Sequence, residues 1–265
     1  MNLVTLSAFD LSLAACLVLL LSVLSLRMQL GLSRQIIIAA LRTTVQLMLI
    51  GFVLKALFEH VHLGWMSLMA MVMLLIAGYE VRARQKHRFT GWWGFGLGST
   101  AMFISSFTVT LLALTVIVEV DPWYTPQYAI PLLGMMLGNT MTGIAVGLDR
   151  LTQSAWQQRT IIEARLMLGQ SWSHAIGSIR RDSIRSGMIP MINAMAAAGV
   201  VSLPGMMTGQ ILAGAPPLEA VKYQILIMFL ISAGTGLGTI AALGFGSYRL
   251  FDERQRLRID RLSSG

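Results

Sequence analysis

Thioethers stand beside amide side chains in two related stretches of this chain. The first reads Gly134-Met135-Met136-Leu137-Gly138-Asn139-Thr140-Met141-Thr142-Gly143, shortly after Pro131. The second reads Gly205-Met206-Met207-Thr208-Gly209-Gln210-Ile211-Leu212-Ala213-Gly214, directly after Ser202-Leu203-Pro204. Both follow Gly-Met-Met-x-Gly-(Asn/Gln)-x-x-x-Gly. The sulfurs of Met135, Met206 and Met207 favour soft ions such as Cu(I) over Fe(II). Methionine also fills irregular gaps in cores, and with 18 Met in the chain packing is the first expectation and metal ligation the second. Asn139 and Gln210 hold the same place in the two stretches and offer either oxygen ligands or hydrogen bonds between helices. On a helix, Gly134, Gly138 and Thr142 share a face, as do Gly205, Gly209 and Ala213, and such small ladders let membrane helices approach closely. Pro204 has no N–H for the carbonyl of Val200 and disfavours α geometry at Leu203, so a break is predicted there. Inside a membrane such a break survives only against protein or a water-lined cavity. Two readings stand side by side. These are tightly packed helices, or they line the path of a solute through Asn139, Pro204, Gly209 and Gln210, with Arg42 and Gln46 from an earlier stretch.

Other polar groups narrow the chemistry. Arg42 falls about two turns inside an apolar run, where it must snorkel or pair with a carboxylate such as Glu80 or Asp149. Glu59-His60-Val61-His62 offers two imidazoles and a carboxylate to a transition metal, although ordinary loop polarity is the plainer reading. All 12 acidic residues lie at the ends of apolar runs or between them, so no mid-span carboxylate is available for proton coupling. None of Lys55, Lys86 and Lys222 sits in a Gly-x-x-x-x-Gly-Lys-(Ser/Thr) phosphate loop. Active transport would therefore draw its energy from a partner. Cys16 stands alone. No nucleophile–base pair, paired carboxylates or zinc-type spacing is present, and the chain does not read as an enzyme.

The elements that must position these groups are membrane helices. The 265 residues are 55% hydrophobic and 12% charged, with mean hydropathy +0.68. Soluble domains carry about twice that charge. The fold class predicted is an all-α polytopic membrane protein, one transmembrane domain over 1–265. Seven spans are predicted, near 11–26, 36–57, 63–79, 92–118, 129–148, 188–214 and 223–250. Gly94 and Gly98 are spaced for close packing at the start of the fourth. Of the 20 Lys and Arg, all but Lys55, Lys222 and the mid-span Arg42 fall on one side if the N-terminus is outside. That bias predicts an external N-terminus and a cytoplasmic C-terminus. It also accounts for the net charge of +8 without nucleic acid. Cytoplasmic segments are then the loop carrying Arg27 and Arg34, 80–88, 149–187 and the arginine-rich tail 251–265.

The 149–187 segment looks built for a partner. A helix up to Leu168 can end at Gly169, and Ser171 can cap a second helix. Ala175, Ile176, Ile179 and Ile184 give that helix an apolar stripe, with Arg180, Arg181 and Arg185 beside it. Either it lies on anionic lipid or it docks a cytosolic ATPase. Glu163-Ala164-Arg165-Leu166-Met167-Leu168-Gly169 resembles the Glu-Ala-Ala-x-x-x-Gly coupling loop of ABC-transporter permeases, with Arg165 in place of the second alanine.

A second resemblance covers most of the chain. Arg181-Asp182-Ser183-Ile184-Arg185, Ile189-Pro190, Gly199-Val200-Val201-Ser202-Leu203-Pro204-Gly205-Met206-Met207-Thr208-Gly209 and Ala220-Val221-Lys222-Tyr223-Gln224 are similar to the FetB-type permease family. So are Arg42-Thr43-Thr44-Val45-Gln46-Leu47 and Gly138-Asn139. The resemblance implies a multi-pass permease of the bacterial inner membrane, paired with a FetA-type cytosolic ATPase and associated with iron export. Plant relatives are linked to aluminium tolerance. It also implies a second copy of the chain in the complex and a coupling surface through Glu163, Ala164, Gly169, Arg181 and Arg185. No cofactor is expected on this chain, ATP and magnesium being held by the partner. An ABC permease for an organic solute or lipid, and a channel independent of ATP, remain the alternatives.

Overall fold

The computed structural model describes residues 7–59 and 61–264. Among them six helices are long and apolar enough to cross a membrane. The chain is a multi-pass helical membrane protein. It divides into two compact units, the first comprising residues up to His62 with Leu212–Gly214 and the second the remainder.

The first unit contains the hairpin of α1 (Ala8–Arg27) and α2 (Ser33–Glu59). Ser7 and Asp10 start α1 with a reciprocal capping box. The hairpin is closed where Ser33 Oγ donates to the Ser22 carbonyl at 3.0 Å and Ser22 Oγ returns a bond to the Ser33 carbonyl at 3.4 Å. Outside this junction the helices present Leu, Ile, Val and Phe to their surroundings, as lipid-facing helices do.

The second unit is built around α6 (Pro126–Gln157), which packs chiefly on α11 (Pro217–Arg249), α9 (Gly177–Ala197) and α3 (Leu63–Ala83). The crossing of α6 and α9 is close because both backbones lack a side chain there. A Cβ on Gly187 would lie 2.5 Å from the Gly143 carbonyl oxygen, and one on Gly143 would meet Thr235 and Thr239 of α11 at 2.8 Å. The fourth span starts as α4 (Trp93–Met102), where Gly94 abuts the Phe89 carbonyl and Gly98 faces Val81, the packing its spacing predicts. It continues through a π-helical turn at Phe103–Phe107, α5 (Thr108–Leu112) and a second π turn at Ala113–Ile117. Nothing in the sequence reading anticipated these turns.

The predicted span 188–214 is not one helix. α9 ends at Ala197, a tight turn follows in which Gly199 adopts φ +82°, and α10 (Gly205–Leu212) begins after Pro204. The turn is closed by Gly199 N–H to the Ser202 carbonyl (2.9 Å) and Ser202 N–H to the Ala197 carbonyl (3.1 Å). A break at Pro204 was predicted through loss of the Val200 hydrogen bond, but the helix has already ended three residues before Val200. Pro204 instead opens α10, its carbonyl accepting the Thr208 N–H at 3.1 Å.

Where α3, α6 and α11 finish, the backbone is roofed over. β1 (His87–Phe89) pairs antiparallel with β2 (Leu262–Ser264), and Phe89 and Leu262 of the pair are buried, as are Leu250 and Phe251. His87 stacks on Trp156 of α6 at 4.8 Å.

Candidate functional site

The coupling segment follows from α6. At Gln158 the chain leaves helical geometry and restarts as α7 (Arg159–Met167). Ile162 is fully buried and anchors α7, whereas Glu163, Ala164 and Gly169 are exposed. Gly169 stands at φ +83°, the left-handed position that favours glycine at a helix end, and its N–H donates to the Leu166 carbonyl. Met167 and Leu168, just before it, are 83% and 82% exposed. Two large apolar side chains therefore stand on a polar end face as a knob.

Arg165 explains its own departure from the coupling-loop pattern. Its Nη1 donates to the Ala175 carbonyl at 3.0 Å and to Ser178 Oγ at 3.4 Å, tying α7 to the start of α9. Between them lies the single turn α8 (Trp172–Ala175). Ser171 occupies its N-cap as predicted, but makes no capping bond. Its hydroxyl meets Ser173 Oγ instead, and the Trp172 N–H is satisfied by Gln255 Oε1 at 3.0 Å. The stripe of Ala175, Ile176 and Ile179 is buried in the protein core, so this face is not available to lie on lipid. Arg181 and Arg185 stay exposed, Arg185 in a loose pair with Asp182 at 4.0 Å.

The tail forms the second wall. Trp172 packs edge-on against Tyr248 and tilted against Phe251, both with centroids at 5.7 Å. Asp252 Oδ1 accepts the N–H groups of Arg254 and Arg256. These bonds, that of Arg256 foremost, hold the Asp252 carboxyl below the usual range. Asp260 is lowered to about 2 by a two-pronged bond from the Arg258 guanidinium. Between tail and α7 lies an open cleft of about 820 Å³, lined by Glu163, Leu166 and Met167 on one side and Glu253, Arg254 and Arg256 on the other. By its arginines alone, 251–265 is expected to be a plain basic tail. The apolar residues Phe251, Leu257, Ile259 and Leu262 interleaved with its arginines are the signal that this expectation passes over.

The Gly-Met-Met stretches come together only in part. Met135 and Met206 line one small cavity of about 50 Å³, with Leu114, Pro131 and Tyr223 among its apolar walls. Met207, Asn139 and Gln210 are not among those walls. Asn139 Nδ2 donates to the Met135 carbonyl of its own helix at 2.8 Å rather than to another helix. Gln210 Oε1 is buried with no hydrogen-bond partner among the described residues. Of the ladder glycines only Gly134 is close-packed, its Cβ position lying 3.2 Å from the Met73 methyl; α6 and α9 meet through Gly143 and Gly187, while Gly138, Gly205 and Gly209 have open space at their Cβ positions among the described residues. Arg42 and Gln46 lie one turn apart on α2, both exposed. Of the predicted histidine pair, His60 lies outside the described residues. Among those described, no group of three His, Cys, Asp or Glu could hold a metal ion.

Comparison with known proteins places this arrangement in context. Residues 8–251 match the uncharacterised protein family UPF0014. A UPF0014 membrane protein of Synechocystis sp. is 40% identical over 87% of this chain and 88% of its own length. The probable iron export permease protein FetB of Escherichia coli is 30% identical over 96% of this chain and 95% of its own. Protein ALUMINUM SENSITIVE 3 of Arabidopsis thaliana is 33% identical over 87% and 81%. No solved structure matches the chain.

Proposed function

This chain belongs to the UPF0014 family, and from that premise we propose that it is the membrane subunit of an ATP-driven exporter. Two copies work with two FetA-type cytosolic ATPases, which hold the ATP and magnesium. The cargo is a metal ion, iron being favoured by similarity to a probable iron export permease. The observation that carries the reading is the knob of Met167 and Leu168 at the end of Glu163–Gly169, an apolar projection with nothing of its own unit covering it. Exposed apolar side chains on a polar rim mark an interaction site. A knob of this kind, rooted in the core through Ile162, passes force between a nucleotide-driven partner and the spans.

The orientation follows from the same face. The 84–91 loop and the tail, which carry Arg84, Arg88, Arg254, Arg256, Arg258 and Arg261, gather with the α7–α8 connection at one end of the second unit. The positive-inside rule makes that end cytoplasmic, in the inner membrane of a bacterium. Six helices qualify as spans by length and apolarity. α9 and α10 supply the seventh crossing as a broken pair.

The test is a proteoliposome loaded with ferrous iron and containing the chain with its ATPase. Glu163→Lys should reduce iron moved per ATP at least tenfold while the chain remains inserted. Equal iron movement with and without ATP would replace the exporter by a channel.

A further inference from the structure

Gln255 carries a backbone conformation that its side chain does not favour. It stands at φ +57° in the turn between Phe251 and Leu257, which pair across it. Glycine or asparagine accepts this region far more readily. The turn itself is already specified without the Gln255 side chain: its N–H donates to the Asp252 carbonyl at 2.9 Å, and Asp252 takes the N–H groups of Arg254 and Arg256. What the amide adds is one bond, from the Trp172 N–H to Oε1 at 3.0 Å. That N–H is the first of α8, out of reach of the Ser171 side chain, which as N-cap could serve only the N–H groups one or two positions further on and instead meets Ser173 Oγ. Trp172 in turn packs its ring on Tyr248 and Phe251. The bond and the ring contacts together join tail and coupling segment at one residue, three positions beyond Gly169.

We propose that Gln255 is a positioning residue for coupling: its turn is held in the left-handed region so that its amide caps α8 and fixes the Met167–Leu168 knob before the ATPase arrives. Without the cap, the Trp172 N–H loses its partner and the tail no longer holds the start of α8 by a hydrogen bond. The connection 168–171 keeps its helix-end bonds to α7, the Ser171 carbonyl's bonds from the His174 and Ala175 N–H groups, and the Arg165 brace. The knob then moves relative to α6, and part of each partner stroke is lost in the connection instead of reaching the spans. The proposal rests on the docking reading given above and adds to it a residue from the opposite wall of the cleft.

Gln255→Gly separates the two roles. Glycine suits the turn and lacks the amide. A residue that served only the turn would be replaced without loss. The latch instead predicts about fivefold faster hydrogen exchange at the Trp172 amide, with a severalfold fall in ferrous iron exported per ATP by the complex with its ATPase. Gln255→Glu keeps an acceptor oxygen and should retain both properties. Unchanged exchange in Gln255→Gly overturns the proposal, as does faster exchange with full export per ATP, or a Gln255→Glu chain that behaves like the glycine variant. Gly169→Pro separates the two levels of inference. If it uncouples export while Gln255→Gly does not, the latch alone falls. If it leaves export per ATP intact, the docking reading falls and the latch with it.

Discussion

Two interruptions in the helices of the second unit share one device and differ in everything around it. After Met167 and after Ala197 the chain turns with a glycine at nearly the same left-handed angle, φ +83° at Gly169 and +82° at Gly199. Beyond Gly169 the chain is caught. Arg165 reaches across to Ala175 and Ser178, Gln255 caps Trp172, and the β1–β2 pair closes the same end face. Beyond Gly199 the turn is held by its own backbone, with Val200 and Val201 89% and 82% exposed. Exposed apolar groups thus occur at both breaks, but only the first presents them on a braced support. A turn that depends on local bonds can change shape at little cost, whereas one braced from three directions transmits a push.

The sharpest way to break this contrast is proline at each glycine. Proline fixes φ near −65°, so neither turn survives it. Gly169→Pro should abolish coupling, read as ATP hydrolysed without iron movement. Gly199→Pro should reshape only its own turn and leave more than half of the export. Equal losses would mean that both breaks carry force.

Packing beneath the two breaks gives the next effect. Phe89 is 2% exposed under the braced end, and Phe89→Ala should cost about 3–5 kcal/mol of stability. Val200→Ala should stay within about 0.5 kcal/mol. Thermal unfolding of the purified chain in one detergent compares the two directly.

At the open end the sulfurs allow a smaller test. The cavity shared by Met135 and Met206 is apolar and of about 50 Å³, enough for a water or two and poorly suited to a hydrated ion. Met206→Leu keeps volume and removes the thioether. Iron export should remain within about twofold of the unchanged protein, and a larger loss would restore Met206 as a ligand.

The smallest effect is that of acid on the braced end. Asp260 is lowered to about 2 from 3.8 by Arg258. A carboxyl lowered by folding contributes stability above its unfolded value and loses it as pH falls through the folded one. The tail should therefore loosen between about pH 4 and 2, and Asp260→Asn should shrink that step to the part that Asp252 contributes. Limited proteolysis of the tail across this range reads it.

The contrast also explains what could be read from residues alone. Helical spans, the end of α7 at Gly169 and the close packing of Gly94 and Gly98 follow from local rules, because composition, a left-handed glycine and i,i+4 spacing act within a few residues. The small ladders point to close packing only in part, at Gly134 against Met73, because spacing names a face without naming its neighbour. Gly143 and Gly187 meet across α6 and α9, while Gly138 and Gly209, more conspicuous in sequence, meet nothing among the described residues. The tail was missed for a similar reason. Its partners Phe89 and Trp172 lie far away in sequence, and no periodicity within 251–264 announces them.

The β1–β2 pair has a consequence in time. Arg88 and Ser263, bonded across it, stand 175 residues apart. At about 5–20 residues per second of synthesis, β1 waits on the order of ten to thirty seconds for its strand. During that interval the spans between them are made, while the end face they will carry has one edge open and Phe89 uncovered. Assembly of the braced end is thereby ordered after the spans, and a chain halted between the two strands would reach the membrane without a finished surface to offer a partner.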